Sequence, residues 1–128
     1  MVLVDFGFAI KYEDIDLNNN EIPFCVGTPG YVAPEMMRGK NYDSRADVFS
    51  CGSMFYLMLT YTPPFYASNK EEIVERNRKC DPDFSFNHWF GHNYDYNERT
   101  IDLLKKMMMK DPKHRIRAMD ALKHPAFD

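Results

Sequence analysis

No stretch of this chain is long or apolar enough to span a bilayer, and no basic leader followed by a signal-like apolar core opens it. Its 3 cysteines, Cys25, Cys51 and Cys80, are an odd, widely spaced set with no CxxC pair, which argues against a disulfide framework or a zinc site. The 4 histidines, His88, His92, His114 and His124, show no metal-ligand spacing and read as surface or packing residues. A strong excess of either sign of charge is also missing. The net charge is −3 with both signs interspersed, so nothing recommends nucleic acid or a membrane as a partner. There is no internal repeat and no low-complexity tract. At 128 residues the chain is long enough for one domain and too short for two. A soluble chain with reduced thiols, cytoplasmic or nuclear, is the expectation.

What is present is mainly helical. Val2-Leu3-Val4 is continuous, aliphatic and stopped by Asp5-Phe6-Gly7, the pattern of a short buried strand. Residues 11–24 are polar and irregular, and residues 27–35 form a loop set by Gly27, Pro29, Gly30 and Pro34. Ser44 and Asp47 have capping-box spacing ahead of Val48, Phe49, Cys51, Met54, Phe55, Leu57, Met58 and Leu59. Those side chains would cover nearly all sides of a helix, which predicts a buried one, ended by Thr62-Pro63-Pro64. Ser68 and Glu71 repeat the capping spacing before a charged helix to about residue 79, with Ile73 and Val74 inward. Residues 80–97, rich in aromatics among Asp, Asn and Gly, read as a packed connector. Asn97 caps a helix with Ile101, Leu104 and Met108 at spacings of three and four. A last short helix is predicted over residues 118–123.

Asp5-Phe6-Gly7 alone also fits a surface turn whose Asp bonds its own backbone. Gly27-Thr28-Pro29-Gly30-Tyr31-Val32-Ala33-Pro34-Glu35 follows it, and the two together resemble the activation segment of a eukaryotic Ser/Thr protein kinase. Four further stretches agree in order. They are Asp47 to Gly52, Pro63-Pro64-Phe65, Asp111 to Ile116, and His124-Pro125-Ala126-Phe127, where relatives usually carry Trp in place of Ala126. The chain is similar to the family from residue 2 to residue 127, and it looks closest to the calcium/calmodulin-dependent type.

The resemblance implies a mainly α fold. It would be the C-terminal half of a kinase large lobe with a short N-terminal β-strand, an incomplete domain in which residues 1–35 are the activation segment and residues 36–128 the helical part. It implies Asp5 as the residue that binds ATP through Mg²⁺. Gly27, Thr28, Pro29 and Gly30 would seat a protein substrate. Tyrosine kinases carry a different, tryptophan-containing loop here, so Ser and Thr are the expected acceptors. Glu35 would pair with a buried Arg115. Asp47 would bond backbone amides of the catalytic loop, although a plain role as a capping acid also fits it. Leu57 stands where arginine-directed kinases have Glu, so that acidic pocket is missing.

No catalytic residue is assigned, because the Gly-rich loop, the phosphate-binding lysine and the proton-accepting aspartate would lie upstream of Met1. The expected function is that of a Ser/Thr kinase fragment, inactive by itself. The alternative is a non-catalytic remnant that binds proteins. Regulation is also constrained. The position three residues before Gly27 is Phe24, and Thr28 is the single Ser or Thr between Asp5 and Glu35, so activation by phosphorylation of this segment is not expected. Phe24 and Ile22 are the candidate anchors of the loop instead.

Overall fold

The computed structural model describes residues 2–11, 27–39, 42–84 and 97–128. All but the first residue of the loop expected over residues 11–24, the anchors Ile22 and Phe24, and most of the aromatic connector lie outside them. Chain order runs α1 (Pro34–Met37), α2 (Arg45–Thr60), α3 (Lys70–Lys79), α4 (Glu98–Met107), α5 (Ala118–Ala121) and a closing 3₁₀ turn (Pro125–Phe127). The fold is helical, as the resemblance implied.

The predicted N-terminal strand is not there. Val2, Leu3 and Val4 are 82%, 75% and 78% exposed in irregular backbone. A strand exists through a neighbour that takes its backbone hydrogen bonds, and among the described residues no segment lies beside this one in a ladder. An apolar run supplies the propensity and not the partner.

Helix starts follow side-chain oxygen geometry. Ser44 sits in helical backbone (φ −57°, ψ −13°) and makes no capping hydrogen bond. The expected Ser44–Asp47 box is therefore absent, and Asp43 Oδ1 accepts the Arg45 amide instead at 2.9 Å. At α3 the cap is Asn69, whose Oδ1 accepts from Glu72 N–H at 2.8 Å, one residue beyond the predicted Ser68–Glu71 pair. Serine and asparagine cap about equally well, so residue type could not separate the two registers. Asn97 caps α4 as expected, accepting from Arg99 N–H at 2.9 Å. Two helices end on left-handed non-glycine residues, Tyr61 (φ 56°) and Cys80 (φ 54°).

The core forms where α2 crosses α4. Phe49 and Phe65 stack with ring centroids 6.4 Å apart, and Leu104, Met108, Ala46 and Ala33 close around them. Gly52 makes the close approach possible, since a Cβ there would stand 2.8 Å from Met108 Cγ and 3.1 Å from Met107 Cβ. Tyr56 packs edge-on against Phe84 at 6.1 Å, and its hydroxyl donates to the Asp83 carbonyl at 2.6 Å.

The expectation that α2 is buried on every side needs correction. Ala46, Val48, Phe49, Gly52, Ser53 and Tyr56 are buried, whereas Met54 and Met58 are 50% and 73% exposed and Cys51 is exposed with them. Apolar character all round marks a helix that can be covered on all sides, and among the described residues only one side is covered.

Candidate functional site

Residues 27–39 carry the site, and their shape follows from residue type. Tyr31 N–H donates to the Thr28 carbonyl at 3.1 Å, with Pro29 and a left-handed Gly30 (φ +93°) between them. Proline at the second position and glycine at the third are what a type II turn requires. Pro34 then opens α1, where its missing N–H is no loss.

Helices behind the turn hold it through side chains. Asn77 of α3, fully buried, accepts from Gly30 N–H at 2.8 Å and donates from Nδ2 to the Val32 carbonyl at 2.9 Å. Ser50 of α2 donates to the Tyr31 carbonyl at 2.9 Å. Arg38 reaches back to the Arg78 carbonyl at 2.7 Å. Three consecutive carbonyl or amide positions are thereby fixed from two helices.

Below the turn, Glu35 and Arg115 form a two-pronged ion pair. Arg115 Nη1 donates to Glu35 Oε1 at 2.6 Å and Nη2 to Oε2 at 2.9 Å, with side chains 0% and 4% exposed. The three remaining Arg115 protons go to the carbonyls of Met109 (2.9 Å), Arg45 (2.9 Å) and Lys110 (3.5 Å), and the guanidinium lies 4.9 Å from the Phe49 ring centroid. Charge this deeply buried is tolerated when every donor is used.

Asp5, Gly27, Thr28 and Asp47 face one cleft of about 480 Å³. Pro29 and Gly30 are not among its lining residues, and the Glu35–Arg115 pair is buried in the packed interior. Asp5 has left-handed backbone (φ 62°), and its exposed carboxylate accepts Gly7 N–H at 3.2 Å. Asp47 is exposed on the first turn of α2. Partial desolvation first, and the Asp47 carboxylate second, raise the Cys51 thiol and the Tyr42 phenol above their ordinary ranges. Among the described residues no group of three or more His, Cys, Asp or Glu side chains could hold a metal alone.

The arrangement thus pairs an exposed carboxylate with a rigid turn that presents a threonine hydroxyl, on a helical body locked by a buried ion pair. The family described as "Protein kinase domain" matches residues 1–127. The chain belongs to the protein kinase family. Calcium-dependent protein kinase 3 of Plasmodium berghei is 38% identical over 125 residues, and calcium-dependent protein kinase 1 of Arabidopsis thaliana 38% over 122. A probable serine/threonine-protein kinase 2 of Plasmodium falciparum is 33% identical over 125 residues. These alignments take in 98%, 95% and 98% of this chain but only 21%, 18% and 23% of the relatives' lengths. The chain therefore spans about a fifth of the kinases it resembles.

In the sequence Asn77 reads as one more polar residue of a charged helix, and residue type gives no hint of its role. A signal did exist: Asn77 lies four residues after Ile73, on the stripe expected to face inward. The kinase segment uses that stripe to grip its own turn.

Proposed function

We propose that this chain is the substrate-seating part of a Ser/Thr protein kinase, which moves the γ-phosphoryl group of ATP to a Ser or Thr hydroxyl of a protein. The observation that carries the reading is the single cleft onto which Asp5, Gly27, Thr28 and Asp47 open, from segments far apart in sequence. In this reading residues 1–35 are the activation segment. Asp5 would hold Mg²⁺ together with the nucleotide phosphates. A lone exposed carboxylate fits that ion, which is usually bound by one or two carboxylates plus substrate phosphates and keeps several waters. Bound there, the ion neutralises phosphate charge.

The protein's own residues position the acceptor. The Thr28-to-Tyr31 turn seats the substrate chain, with the Thr28 hydroxyl toward the reacting end of the cleft. Asp47 anchors the backbone that carries the proton-accepting aspartate, and the Glu35–Arg115 pair keeps the turn's base from shifting. None of these 128 residues is assigned as that aspartate, the phosphate-binding lysine or the Gly-rich loop, and the expected result for this chain alone is no phosphate transfer. No described helix is long and apolar enough to cross a membrane. A cytoplasmic or nuclear place of action, on protein substrates, belongs to the same kinase reading.

The test replaces the matching segment of the Arabidopsis calcium-dependent protein kinase 1 with residues 1–127. Transfer of radiolabelled phosphate to myelin basic protein is expected, abolished by Asp5→Asn with folding unchanged. A folded but inactive chimaera would instead favour a protein-binding remnant, a reading to which the exposed Met54 and Met58 also lend support.

A further inference from the structure

The single buried residue of α3 is polar. A buried side-chain amide is costly unless its hydrogen bonds are made, and both halves of the Asn77 amide are spent on the same short stretch of backbone. Oδ1 takes Gly30 N–H and Nδ2 gives to the Val32 carbonyl, at 2.8 and 2.9 Å. The partners fix which end is oxygen, because an amide N–H can only donate and a carbonyl can only accept. An apolar side chain of similar size would fill the volume and leave two buried backbone groups unpaired. Asn77 therefore specifies a geometry, where an apolar residue would supply only buried area. What it specifies is the spacing from Gly30 to Val32, across the residue whose N–H closes the turn on Thr28.

We propose that Asn77 is a positioning residue for the acceptor seat: α3 sets, through one amide, the placement of the turn that presents Thr28. This rests on the kinase reading above. It adds that affinity for the protein acceptor is controlled from a helix outside the cleft, by a residue that touches neither substrate nor nucleotide.

Two measurements separate the claims. In the chain itself, Asn77→Val should speed hydrogen exchange of the Gly30 amide at least about tenfold, while the α4 amides keep their protection. Unchanged Gly30 exchange overturns the proposal. In the active chimaera, Asn77→Val should raise the KM for myelin basic protein about tenfold and leave the KM for ATP unchanged. Asn77→Asp keeps the acceptor toward Gly30 N–H but sets an oxygen against the Val32 carbonyl, and should behave likewise. A general loss of stability would instead lower kcat and leave both KM values alone, and that outcome refutes the positioning role. An inactive parent chimaera refutes the kinase reading and this role with it. An active parent whose acceptor KM ignores both substitutions refutes this role only.

Discussion

Removing either member of the Glu35–Arg115 pair should be among the most damaging single changes in the chain, and the two removals should differ. Both side chains are essentially inaccessible, at 4% and 0% exposure. Breaking such a pair by deleting one partner costs about 3–5 kcal/mol, because the survivor stays buried and uncompensated. After Glu35→Ala the guanidinium keeps the carbonyls of Arg45 and Met109 and the face of Phe49, so the loss should fall near 3 kcal/mol. After Arg115→Ala those carbonyls lose their donor as well, and the loss should approach 5 kcal/mol. The double change leaves no orphaned charge, so it should undershoot the sum by about 2–3 kcal/mol. Urea unfolding followed by circular dichroism would measure the cycle. Total stabilities run only about 5–15 kcal/mol, so Glu35→Gln and Arg115→Lys supply a milder cycle should an alanine variant not fold. Added salt should change little, since a buried pair is poorly screened. Additivity within about 0.5 kcal/mol would refute the reasoning.

Gly52→Ala should destabilise by about 1–3 kcal/mol despite alanine's better helix propensity, because its Cβ would press on Met107 and Met108; a gain in the urea midpoint would show that α2 and α4 are not in close contact. Tyr61→Gly should raise stability by about 0.5–1 kcal/mol, read as a higher melting temperature, because Tyr61 is 74% exposed and left-handed, so backbone strain is relieved with little burial lost. Burial, with the Asp83 carboxylate second, pushes the Tyr56 phenol up to about 12 from 10.0. The folded state thus holds this proton more tightly than the unfolded one, so stability should be level below pH 10, fall between about pH 10 and 12, and lose that slope in Tyr56→Phe.

What could be read in advance depended on how local each cause was. The fourth helix was legible because Asn97 and the Ile101–Leu104–Met108 stripe are adjacent features that agree. The third was legible to within a residue, its start blurred by Ser68 and Asn69 competing for one cap. The supposed strand at Val2 failed because pairing is a property of two segments, and α2 failed in part because burial depends on what is packed around a helix. Within the site, Asp5 and Thr28 stood out by motif. The Glu35–Arg115 contact followed from family resemblance alone, since no spacing rule links residues so distant, and Asn77 was hidden by residue type. Long-range polar contacts are the part of a fold that composition and period say least about.

The separation of Glu35 and Arg115, 80 residues along the chain, also bears on the order of folding. Closing a loop of that length costs about 4 kcal/mol of chain entropy before any contact repays it. The pair should therefore form after the local α2–turn contacts, on the native side of the folding barrier. Its loss would then leave the folding rate nearly untouched and accelerate unfolding, a split visible in the two arms of a chevron plot. In this segment the bond that locks the finished fold has little part in starting it, so its contribution is to how long the kinase segment stays folded once formed.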